Sequence, residues 1–98
     1  MTLLSIAIPS YNSEAYLHYC VHSLVIGGDK VEILIINDGS TDRTQEIAEG
    51  LENQFSNVRA IYQGNKGHGG AVNTGIREAK GKSLKSWTQM TGSIVGPI

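Results

Sequence analysis

The stretch Val31–Glu49, VEILIINDGSTDRTQEIAE, decides the fold. Its opening segment Val31–Asn37 (VEILIIN), with five of seven residues aliphatic, reads as a strand. Asp38-Gly39-Ser40 is a turn, and Ser40 or Thr41 is placed to cap the helix that follows. Ile47, Ala48 and Leu51 form the apolar face of that helix, with Gly50 as a weak point.

Working outward, the same grammar repeats on either side. Upstream, Leu3–Pro9 (LLSIAIP) reads as a buried strand stopped by Pro9 and Asn12. Asn12 or Ser13 can cap a helix running to about Ile26, with Tyr16, Leu17, Cys20, Val21 and Leu24 on one face and Gly27-Gly28-Asp29 ending it. Downstream, Val58–Gln63 (VRAIYQ) is a third strand, Gly64–Gly70 a loop, and Ala71–Lys80 a third helix closed by Gly81. Strands and helices alternate as β-α-β-α-β-loop-α. Such alternation predicts an α/β fold, a Rossmann-like three-layer arrangement of a parallel sheet with flanking helices. After Gly81 the character changes. Ser83–Ile98 (SLKSWTQMTGSIVGPI) has neither period, so the fourth strand expected there is not cleanly supplied.

Composition narrows the function classes. In 98 residues, 40% are apolar and 17% charged, enough apolar side chain for one small core. The net charge of −1 argues against nucleic-acid binding and against a polybasic membrane patch. One cysteine, Cys20, excludes an internal disulfide or a cysteine-built zinc site, and points to a reducing, cytoplasmic setting. Cys20 itself reads as a core residue. No apolar run is long enough to span a bilayer, and Leu3–Ile8 lacks a basic flank for a signal peptide.

In parallel sheets of this kind, ligands bind beyond the carboxyl ends of the strands. Three polar clusters fall there: Ser10-Tyr11-Asn12, Asp38-Gly39-Ser40 and Asn65–Gly70. Tyr11 can stack on a flat base or be an ordinary rim tyrosine. Asp38 can accept from a base N–H or ribose hydroxyls, or serve only as an Asp-Gly turn residue. The glycine-rich loop NKGHGG can bring Lys66 and backbone N–H groups to a diphosphate, or be a plain surface loop. It is neither a P-loop nor a dinucleotide fingerprint, which would follow the first strand. His68 and Arg77 are most simply surface polar residues. His18 and His22 have the i,i+4 spacing of a metal pair, but without a third ligand an exposed helix face is the expectation.

Taken together, SIAIPSYNSEAYLHYCVHSL, VEILIINDGSTDRTQEIAE and NKGHGGAVNTGIREAKGK resemble, in order and spacing, the start of an inverting family-2 glycosyltransferase of the GT-A fold. The likeness covers about residues 2–82. It implies a nucleotide-diphospho-sugar donor, usually a UDP-sugar, and a saccharide or lipid-linked acceptor. Pro9, Tyr11 and Asn12 fall on the family's base-binding loop. Asp38 falls on its base-holding carboxylate, with Gly39 and Ser40 in the same turn. Lys66 and Gly67 fall near base and phosphates. Asn73 and Gly75 match the element opening the third helix, although Val72 stands where the family often has arginine. The resemblance also implies Mg²⁺ or Mn²⁺ in the intact enzyme, and a cytoplasmic protein at the inner membrane face.

The metal-binding acidic cluster is missing, since no Asp or Glu follows Glu78. No catalytic residue or metal ligand is therefore assigned. The genetic code suggests why. Trp87-Thr88 and Met90-Thr91, read one nucleotide out of phase, each contain GAC, an Asp codon. Gln89-Met90 straddles RAT, which encodes Asp or Asn. The shifted frame reads D-x-[D/N]-D where the family requires acids. The expectation is a nucleotide-sugar-binding part over 1–82 and an out-of-frame tail over 83–98. Loss of the fourth strand would then expose a sheet edge and favour self-association. Two alternatives stand beside this: a non-catalytic nucleotide-binding module, and an α/β interaction domain. The latter is poorly matched, since a receiver-like domain would carry acids where this chain has Pro9-Ser10-Tyr11-Asn12.

Overall fold

The computed structural model describes residues 4–25, 30–81, 83–88 and 93–95. The elements run β1 (Leu4–Ser10), α1 (Leu17–Leu24), β2 (Val31–Asp38), α2 (Thr44–Gln54), β3 (Val58–Gln63), α3 (Gly67–Glu78), β4 (Ser83–Thr88) and β5 (Ser93–Val95). They form one sheet in the order β3-β2-β1-β4-β5. The β1–β2, β2–β3 and β1–β4 pairs are parallel, and β4–β5 is antiparallel. The chain thus builds outward from β1 to β3, then returns through α3 to the other side of β1. Beside β1 the strand order reverses, the place where sheets of this kind bind ligands, beyond the carboxyl ends of the strands.

The aliphatic run of β2 is explained by its central place. Glu32 through Asp38 are all buried. Successive side chains alternate between two cores. Ile6, Ile8, Ile33, Ile35 and Val58 face α1 and α2, where Leu17, Cys20, Val21, Ala48 and Leu51 meet them. Ala7, Leu34 and Ile36 face Ala71 of α3, with Ile61 and Leu84 at the margin. The expected three-layer α/β architecture is what the chain adopts. Burial pushes the Cys20 thiol up to about 12, so it packs as a small hydrophobe and supplies no thiolate.

The α3 layer depends on a close approach. A Cβ on Gly75 would lie 2.8 Å from Ala7 Cβ and 3.2 Å from Ile36 Cδ1, below ordinary contact. Gly75→Val is therefore expected to force the helix off the sheet and cost about 1–3 kcal/mol. Thermal unfolding of the variant checks this, and an unchanged melting temperature would count against the tight packing.

Several boundaries differ from expectation. α1 starts at Leu17 because Asn12 and Ser13 are engaged in the preceding turn, where the Ser13 carbonyl accepts from the N–H groups of Tyr16 and Leu17. The expected end of that helix, at Ile26 and Gly27–Asp29, lies outside the described residues. α2 starts at Thr44, not directly after Ser40 or Thr41. α3 starts at Gly67, inside the glycine-rich segment expected to be loop, and ends at Glu78. Tertiary anchoring of Lys66 sets that start against the poor helix propensity of glycine.

The largest correction concerns the fourth strand. Ser83–Thr88 does form one, and Leu4–Ala7 pair with Ser83–Ser86. Parallel pairing satisfies backbone groups whatever the side-chain period, so a weakly patterned segment completes the sheet. The edge of β1 is covered, and the reason given for self-association through an exposed edge is removed. The shifted-frame acidic cluster would begin across Trp87-Thr88, at the end of β4, and continue over residues 89–91, which lie outside the described residues, as does Lys82.

Candidate nucleotide-binding site

Three loops leave the carboxyl ends of β1, β2 and β3, and hydrogen bonds tie them together. Asn12 adopts a left-handed backbone, φ 48°, which Asn tolerates better than most residues. Its own N–H donates to Ser40 Oγ at 2.9 Å, and its Oδ1 accepts from the Thr41 N–H at 2.8 Å. Neither Asn12 nor Ser40 caps a helix as expected. Together they brace the β1 loop against the β2 loop. Tyr11, one residue earlier, is about half exposed with its ring at the rim. Pro9 is half-buried opposite Ile36.

Asp38 ends β2 and is buried, 5% exposed. Its Oδ1 accepts from the Lys66 N–H at 2.7 Å and from Gln63 Nε2 at 3.0 Å. Desolvation pushes its carboxyl upward, but the Gln63 amide, the Lys66 and Gly67 N–H groups and the Lys66 charge outweigh it. The net direction is downward, so Asp38 is a carboxylate at neutral pH. Gly39 follows with φ +72°, and a Cβ there would sit 2.8 Å from the Asn65 nitrogen. Only glycine fits this turn beneath the third loop.

The sequence-expected residues Asn12 and Ser40 are thus in direct contact, as are Asp38 and Lys66. Gly67, φ +79°, begins α3 immediately after Lys66. Asn73 is not brought into these contacts. It lies exposed along α3, and among the described residues no hydrogen bond joins it to the others.

Sequence reasoning missed the residues that hold the loops. Asp42 accepts from the N–H groups of Glu14 and Thr44 and from the Thr44 hydroxyl, while Thr44 Oγ1 accepts from the Ser13 N–H at 2.7 Å. The Asp42-x-x-Gln45 spacing before α2 was an available capping signal. Asn37 bridges the Ser40 N–H and Gln45. Gln63 and Thr74 carried no local signal, because their role exists only across strands.

At the opposite end of the sheet, Glu32 collects a second buried network. It accepts from Ser5 Oγ at 2.9 Å, the Lys80 N–H at 3.0 Å and Arg59 Nη1 at 3.3 Å. Arg59 also donates to the Glu78 carbonyl and carboxylate. This pins the C-terminal end of α3.

Among the described residues no three His, Cys, Asp or Glu side chains cluster as a metal would need. His18 and His22 are exposed with ring centroids 4.2 Å apart, and His22 meets Phe55 edge-on. The described residues do not fit a metal centre.

A family model described as Glycosyl transferase family 2 matches residues 5–87. The chain belongs to that family. EpsJ of Bacillus subtilis, a glycosyltransferase, is 41% identical over 80 residues, covering 81% of this chain and 23% of its own. Glycosyltransferase GlyG of Streptococcus pneumoniae is 42% identical over 84 residues, covering 84% and 28%. Residues 1–349 of S. aureus TarS, solved in complex with UDP, superpose with TM-score 0.77 at 28% identity over 87% of this chain and 26% of that one. A mannosyltransferase from Pyrobaculum calidifontis, solved with GDP-Man and Mn²⁺, shares the fold with TM-score 0.63 at 21% identity. The chain spans about a quarter of the length of EpsJ and GlyG.

Proposed function

We propose that this family-2 chain binds the nucleotide of a nucleotide-diphospho-sugar, preferably a UDP-sugar, for transfer of the sugar to an acceptor hydroxyl. The observation that carries the reading is the buried Asp38 carboxylate at the junction of three braced loops. An acceptor-only carboxylate suits a base with an imide N–H, as uracil has. Tyr11 and Pro9 flank it as apolar and aromatic surface for the base ring. Asn12, Gly39 and Ser40 shape the wall beside it. Lys66 and the N-terminus of α3 at Gly67 supply positive potential for the diphosphate, with Asn73 a more distant candidate. TarS, solved with UDP and with UDP-GlcNAc at 28% identity, supports the choice of uridine.

The acceptor is a saccharide or a lipid-linked saccharide, handled at the cytoplasmic face of a membrane. Mg²⁺ or Mn²⁺ belongs to the whole enzyme, at acidic residues this chain lacks after Glu78. The 98-residue chain is accordingly expected to bind UDP weakly and to transfer no sugar. Calorimetric titration with UDP and ADP, beside an assay of UDP release from UDP-sugars, tests both parts. UDP binding no tighter than ADP would overturn the donor assignment, and metal-dependent transfer would overturn the inactivity. Residues 83–98 are read as an out-of-frame tail on a donor-binding part. Sequencing the gene from the Lys80 codon onward decides this, since one inserted or deleted base should restore the acidic cluster and an open frame.

A further inference from the structure

Gln63 ends β3 opposite Asp38, its register partner on β2. Its amide is used at both ends. Nε2 donates to Asp38 Oδ1 at 3.0 Å, and Oε1 accepts from the hydroxyl of the buried Thr74 on α3. The amide orientation follows from charge, because the flipped form would set two oxygens against each other at the Asp38 contact. With the orientation settled, the Thr74 proton belongs between Thr74 and Gln63, and the Gly70 carbonyl 3.0 Å from Thr74 Oγ1 has at most a share of it. Asp38 Oδ1 is therefore held from β3 and from the Lys66 N–H at once, with the Gly67 N–H also directed at the carboxylate, and neither of the two Oδ1 bonds falls on Oδ2.

We propose that Gln63, itself fixed by Thr74, is a positioning residue that aims the Asp38 carboxylate, retaining Oδ1 within the protein so that Oδ2 is the oxygen offered to the nucleotide base. This rests on the donor-site reading above. It makes α3 a partner in base recognition, since Thr74 passes the position of the helix to the carboxylate through one amide.

The test uses the whole chain and two near-isosteric variants, Gln63→Met and Thr74→Val. Carbon-13 NMR follows titration of the Asp38 carboxyl without ligand, and calorimetry follows UDP binding. The charged group facing Asp38 is Lys66, which both variants keep. Gln63→Met is expected to raise the Asp38 titration midpoint by about half a pH unit or more, and to weaken UDP about five- to tenfold. Thr74→Val moves both in the same direction by less. A merely structural Gln63 would lower the melting temperature and leave the Asp38 midpoint at its wild-type value, and that result overturns the proposal. Should Gln63→Met fail to fold, Thr74→Val carries the same comparison. If the wild-type chain does not bind UDP, the donor reading falls, while the Asp38 midpoint still decides the positioning role.

Discussion

Replacing Glu32 with alanine is expected to destabilise the protein by about 2–4 kcal/mol. The carboxylate is buried and accepts from Ser5 Oγ, the Lys80 N–H and Arg59. Its loss leaves the Arg59 guanidinium half-buried with one carboxylate fewer, and strands a hydroxyl and a backbone N–H that water reaches poorly. For a domain of this size each kcal/mol corresponds to roughly 4–8 °C in melting temperature. The variant should therefore melt well below the wild type, and some of it should be unfolded at ambient temperature. Glu32→Gln keeps one acceptor and should lose less. A melting temperature for the alanine variant within the error of the wild type would rule out the network as a stabilising clamp.

The same residue predicts a pH dependence. Burial pushes the Glu32 carboxyl upward, but the Lys80 N–H, the Ser5 hydroxyl and Arg59 together bring it below its ordinary value. A carboxyl depressed in the folded state contributes stability above its unfolded value, about 4.3, and loses it as pH falls through the folded value. Wild-type stability should thus fall from about pH 5 downward more steeply than that of Glu32→Gln. Chemical denaturation of both proteins across that window measures the difference, and parallel curves would remove Glu32 as the cause.

Asp38→Asn is expected to weaken UDP binding roughly ten- to a hundredfold with little change in melting temperature. The asparagine oxygen can still accept from Gln63 and the Lys66 N–H, so the loops remain braced. What disappears is the charge and the second acceptor oxygen that an imide N–H would use. Because the Asp38 carboxyl lies below its ordinary value, its titration should add no pH dependence to wild-type binding of uridine between about pH 6 and 8. Calorimetry at several pH values checks both statements. Undiminished UDP affinity in the variant would mean that Asp38 only closes the loop and never meets the base.

Much of this was legible in local pattern. The strand from Val58 to Gln63 stands where the sequence put it, and the aliphatic run of β1 announced a buried strand. Asn12, Asp38 and Ser40 stood out as candidates because PSYN and NDGS at strand ends are local signals. Helix starts were less legible. Asn12 and Ser40 have the chemistry of caps, yet each spends it on the other across two loops. β4 was illegible for a different reason. SLKSWT has no strand period, and it becomes a strand because the open backbone edge of β1 pairs with it.

By itself, then, the order of residues determined the α/β alternation, the burial of β1 and the loops that carry the candidate site, all legible in patterns within a few residues. Only the tertiary structure decided that Gln63 and Thr74 serve Asp38, that Glu32 and Arg59 clamp the end of α3, and that β1 has a neighbour on its open side. Those pairings join residues far apart in sequence. Their hydrogen bonds exist only once the register of neighbouring strands has set which side chains stand opposite one another.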